Sequence, residues 1–68
     1  MREFTVEFIS RTRSKYEALL EAARGYRDKI KYADLAVIVA ARDLNLDPGA
    51  EEIEVLADVL MGGYDNGV

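Results

Sequence analysis

Glu3-Phe4-Thr5-Val6-Glu7-Phe8 alternates polar and apolar residues at every step. Its apolar members are aromatic or β-branched, so the stretch predicts a half-buried strand with Phe4, Val6 and Phe8 on the buried side. A helix is the competing account. Phe4 and Phe8 are four apart, and Thr12 and Tyr16 continue that spacing, but Val6 and Ile9 then need burial elsewhere. The strand places more of the apolar residues and is the expectation carried forward. No other stretch reads as a strand, and a lone strand leaves its backbone donors and acceptors unpaired. The cheapest partner is the same strand in a second copy, paired antiparallel about a two-fold axis. The expected fold class is therefore mainly α with one N-terminal β-strand, in the order β-α-α-α, the strand being paired between the chains of a dimer.

Three helices are expected beyond it. Ser14 and Glu17 have the Ser-x-x-Glu form of a capping box, Tyr16, Leu19, Leu20 and Ala23 make one apolar stripe, and Gly25 is a natural stop, giving a first helix over about 13–24. Asp28 is the expected cap of a second helix that Asn45 closes. Its stripe is Ile30, Ala33, Val37, Ile38, Ala41 and Leu44, with Leu35 and Val39 on nearly the opposite side. A helix apolar on both sides is buried on both sides, and a chain this short has little protein to cover it. In Asp47-Pro48-Gly49-Ala50-Glu51-Glu52 the Asp caps, Pro takes the first helical position and the glutamates sit at the positive end of the dipole. Ile53, Leu56, Ala57, Leu60 and Met61 face inward with Val55 and Val59 flanking, and Gly62-Gly63 ends this third helix. One domain over 1–63 with a flexible C-terminal tail over 64–68 is expected.

Composition bounds the chemistry. The 68 residues contain no His and no Cys, so imidazole and thiolate metal sites, disulfides, and Ser-His-Asp or Cys-His nucleophiles have no residues to build them. No enzyme activity and no cofactor are expected. The longest uninterrupted apolar run, Leu35 to Ala41, is seven residues. With no signal-peptide pattern and no membrane span, a cytoplasmic protein is expected.

The net charge of −4 conceals an asymmetry. Residues 11–31 carry seven basic and three acidic groups (+4), residues 32–68 one basic and eight acidic (−7), and residues 1–10 one basic and two acidic (−1). Such halves can pair with each other, face an anion, or meet a second copy.

Three constellations invite a ligand. Asp43, Asn45, Asp47, Glu51 and Glu54 stand at positions 1, 3, 5, 9 and 12 of a loop that resembles an EF-hand and so implies calcium. The turn-making glycine position, however, is Pro48, whose fixed φ does not supply the glycine conformation, and a plain helix start uses the same residues without a metal. Arg24, Tyr26, Arg27, Lys29, Lys31 and Tyr32 gather cations and rings around a helix turn, a set able to grip a phosphate and stack on a base. The order strand-helix-helix in a dimer resembles the ribbon-helix-helix DNA-binding proteins over residues 2–45, which implies a paired ribbon in the major groove. Glu3, Thr5 and Glu7 would then face phosphate-lined DNA, against the electrostatic term.

The function expected on balance is that of a small non-catalytic oligomeric interaction protein, an adaptor or inhibitor that binds and modulates another protein. Phe4, Val6 and Phe8 would hold one oligomer interface, and Leu35 and Val39 a second. Glu51, Glu52, Glu54 and Asp58 would meet a basic protein partner. The alternatives are a ribbon-helix-helix-like DNA-binding regulator and a nucleotide- or phosphate-binding oligomer using the 24–32 turn.

Overall fold

The computed structural model describes residues 4–64, and these form four helices and no strand: α1 (Val6–Lys15), α2 (Glu17–Tyr26), α3 (Ala33–Asp43) and α4 (Ala50–Leu60). Glu3 of the expected strand and residues 65–68 of the expected tail lie outside the described residues.

The strand is overturned by a helix that begins inside it. Thr5 is the N-cap of α1, its hydroxyl accepting the Phe8 amide at 3.0 Å and its carbonyl the Ile9 amide at 3.0 Å. Phe4 and Phe8 stack at 5.4 Å between ring centroids and pack against the core. Thr12 and Tyr16 continue their face and Ile9 lies buried beside it, leaving only Val6, 62% exposed, on the outside. A helix closes its backbone hydrogen bonds within itself, whereas the strand would have needed a second chain. The inter-chain ribbon falls with the strand, and so does the ribbon-helix-helix resemblance. Phe4 and Phe8 serve the chain's own core instead of a strand interface.

The helix boundaries shift for local reasons. α1 and α2 meet at a one-residue break, Tyr16 (φ −118°, ψ 38°), which is the N-cap of α2 without a side-chain cap bond. Ser14 lies inside α1, so the Ser14–Glu17 capping box does not form, and Gly25 lies inside α2 instead of ending it. Residues 27–32 form a turn and not the start of α3. The Arg27 guanidinium donates to the Lys31 carbonyl at 2.7 Å and to that of Ile30 at 3.5 Å, while the Lys29 and Ile30 amides both reach the Tyr26 carbonyl. Asn45 closes α3 as expected. It sits at φ 58°. The Leu46 amide donates to the Ala41 carbonyl at 2.8 Å and the Asn45 amide to that of Arg42 at 3.1 Å. Together these bonds make a Schellman ending.

α4 starts two residues later than the Asp-Pro signal suggests. Gly49 is its N-cap and Pro48 is buried just before it. The Glu52 carboxylate reaches back to the Gly49 amide at 2.8 Å. That bond is the half of a capping box that a glycine cap permits. The far end closes on Gly62, at φ 94°. There the Gly63 amide donates to the Asp58 carbonyl at 2.7 Å.

α3 packs chiefly against α2 and α4, and α1 lies against α4. Leu19, Val37, Val55 and Leu56 are the largest fully buried side chains. The inward stripe of α3 is Ala33, Ala36, Val37, Ala40 and Ala41. Ile38 and Leu44, expected in that stripe, are 39% and 41% exposed. No helix among the described residues is long and apolar enough to cross a membrane.

Candidate functional site

α3 is built inside out. Its inward positions are almost all alanine, which lets α2 and α4 approach its backbone closely, while its bulkier aliphatics, Leu35 at 46% exposure and Ile38, point away from the bundle. Val39, half-buried, borders the same face. Beyond the Schellman turn Leu46, 41% exposed, extends the apolar surface, and Ile38, Ala41, Leu46, Pro48 and Ile53, together with the charged Arg42 and Asp47, line a shallow groove of about 110 Å³. Tyr32, 63% exposed, stands at the N-cap of α3, with the Lys31 ammonium 6.0 Å from its ring centre. Spacing alone sets Leu35 and Val39 off the main stripe of the helix. Ile38 escapes that reading, because the larger side chain is sent to the core ahead of the alanines. The run Ala33, Ala36, Ala40, Ala41 at helical spacing is the signal that finds it.

The residues of the basic turn divide between contacts within the fold and exposure to solvent. Arg27 is committed to the carbonyls of its own turn, and the Tyr26 hydroxyl donates to the Asp43 carboxylate, a bond that, with partial burial, raises the phenol above its ordinary pKa. Arg24, Lys29, Lys31 and Tyr32 are exposed. Arg24 lines a different region, an open groove of about 720 Å³ between α1 and α2. Its lining includes two arginines, Arg13 and Arg24, and two glutamates, Glu17 and Glu21, so the groove presents no single sign of charge.

The acids of α4 also divide. Glu52 is a structural hub: besides the Gly49 amide it accepts the Tyr16 hydroxyl at 2.9 Å and the Lys15 ammonium at 3.4 Å. Partial burial pushes its carboxyl up, but the Gly49 amide, the Tyr16 hydroxyl and the Lys15 ammonium together outweigh that and hold it below the usual carboxylate value. Burial, then the bond to Glu52, raises the Tyr16 phenol, which stays a donor. Asp58 accepts the Tyr64 hydroxyl at 3.5 Å, and the Tyr64 carbonyl takes a hydrogen bond from Arg13. Glu51 and Glu54 are exposed side chains that also have interactions within the fold. Through Lys15 and Arg13 the basic segment of the chain meets the acidic one internally.

The acidic loop between α3 and α4 does not converge either. Asp43 is held by Tyr26 and Asn45 is spent on the left-handed turn. Among the described residues no three acidic groups gather as a metal-ion cage. The chain matches no protein-family model, no curated protein and no solved structure.

Proposed function

We propose that this chain is a small non-catalytic interaction protein of the cytoplasm, an adaptor or inhibitor that assembles through the outward face of α3 and binds and modulates another protein. The observation that carries this reading is the inversion of α3, with alanines inside and Leu35 and Ile38 outside. In a bundle this small, apolar area left facing water is free energy available to association, at roughly 25 cal/mol per Å² removed from solvent. The absence of His and Cys from the sequence supports a binding role over a catalytic one, and the absence of Cys suits a reducing compartment. The commitment of Arg27 to the carbonyls of its own turn and of the Tyr26 hydroxyl to Asp43 of α3 speaks for a protein partner over a phosphate.

The test is cross-linking in the native host. The wild-type chain, Leu35→Glu and a control on another surface, Glu21→Lys, are compared by mass spectrometry after circular dichroism has shown all three folded. Proteins captured by wild type and control but lost from Leu35→Glu support the reading. Identical capture by all three refutes it.

A further inference from the structure

The charges that flank the outward face of α3 are arranged as a self-complementary pair. Asp34, Ile38 and Arg42 follow one another at four-residue spacing and so form one row along the helix, and all three are exposed. The two charges lie about 12 Å apart along the axis, about 6 Å on either side of Ile38. Neither makes an ion pair among the described residues; the Asp34 carboxylate accepts only the amide of Leu35, at 2.8 Å.

We infer that the occupant of this face is a second copy of the chain, bound antiparallel about a two-fold axis at Ile38. An isologous contact requires that a residue displaced in one direction from the axis meet the residue displaced equally in the other. Here Asp34 meets Arg42 of the partner subunit, and Arg42 meets the partner subunit's Asp34, giving two ion pairs of opposite sense around an Ile38 to Ile38 centre. The same register sets Leu35 opposite the partner subunit's Ala41. Leu35 thereby enters the groove between Ile38, Ala41, Leu46 and Ile53, which is large enough for an aliphatic side chain. A parallel arrangement would instead set Asp34 on Asp34 and Arg42 on Arg42, two repulsions in place of two attractions. One eleven-residue helix with its flanking turn is a small interface. Interfaces of this size are of the weak, transient kind, so dimerisation is expected only at roughly micromolar concentration or above.

The inference rests on the reading of this face as a binding surface but is tested on the purified chain alone, so that its failure and the failure of that reading are distinguishable. Sedimentation equilibrium from micromolar to millimolar concentration should show wild type passing from monomer to dimer and Ile38→Glu remaining a monomer. Asp34→Arg and Arg42→Asp should each weaken the dimer by about tenfold, since each places like charges opposite one another. Mixed in equal amounts, these two variants should form a heterodimer of roughly wild-type strength, because one row is then wholly basic and the other wholly acidic. Both positions are exposed, and circular dichroism verifies that each variant is folded. A wild-type chain that is monomeric throughout, or a mixture no stronger than the separate variants, overturns the proposal, while partner capture in the host still judges the face itself.

Discussion

Replacing Tyr16 by Phe and Glu52 by Ala, singly and together, measures the tie that fastens the α1–α2 break to the start of α4. The Tyr16 hydroxyl donates to a carboxylate at 2.9 Å in a part-buried setting. Hydrogen bonds to charged acceptors are worth about 1.5–3 kcal/mol, and partial access to water puts this one near the lower end, so Tyr16→Phe should cost about 1.5 kcal/mol. Glu52→Ala loses the same bond and also the acceptor of the Gly49 amide. That second contact is of the capping type and worth about 1 kcal/mol, which makes about 2.5 kcal/mol in all. The Lys15 contact adds little because that ammonium is well exposed. The double variant loses the shared bond once, so it too should cost about 2.5 kcal/mol, leaving a coupling of about 1.5 kcal/mol. For a chain of this length, with a total stability of roughly 3–10 kcal/mol, Glu52→Ala should lower Tm by about 10–20 °C. Urea unfolding followed by circular dichroism reads all four proteins at one concentration, because association adds apparent stability. Additivity within about 0.5 kcal/mol would refute the tie.

Three further outcomes follow from the same structure. Leu56 is fully buried. Leu56→Ala should therefore cost about 2–5 kcal/mol and leave the fold marginal in urea titration; a loss under about 1 kcal/mol would mean that the core does not converge there. Gly62→Ala places a Cβ on a residue at φ 94°. It should destabilise by about 1 kcal/mol, whereas an unchanged midpoint would remove the left-handed ending of α4. Glu52 sets part of the acid response, because its folded carboxyl binds a proton more weakly than the unfolded one. Its contribution is complete above the unfolded value of about 4.3 and fades as pH falls through the lower folded value. Glu52→Gln should flatten that part of the stability–pH curve, and a curve parallel to wild type in acid would count against the assignment.

The helical character of residues 13–61 is legible in the sequence because its evidence is local. Leu19, Leu20 and Ala23 bury as their spacing requires, and Asn45 and Gly62 end their helices through left-handed turns that few other residues favour. The first eight residues are not legible from alternation alone. A period of two across Phe4, Val6 and Phe8 and a period of four across Phe4, Phe8, Thr12 and Tyr16 coexist in the same letters, and what separates them is whether a strand partner exists, a property of the whole chain. Of the candidate site, Leu35 and Val39 stand out through spacing. Ile38 is hidden by the habit of sending the larger aliphatic inward, and the double duty of Glu52 and Tyr26 depends on contacts 36 and 17 residues away, which no local pattern encodes.

The alanine side of α3 has a consequence for how this chain tolerates change. Alanine gives up no rotamer freedom on folding, while Leu35 and Ile38 keep theirs for as long as they face water. The residues that hold the helix in the bundle and those that present its apolar face are thus different sets on opposite sides of eleven residues. Under the binding role proposed above, substitutions on the outward side would alter what α3 grips and leave the bundle standing, so that specificity could drift or be redesigned almost independently of the fold.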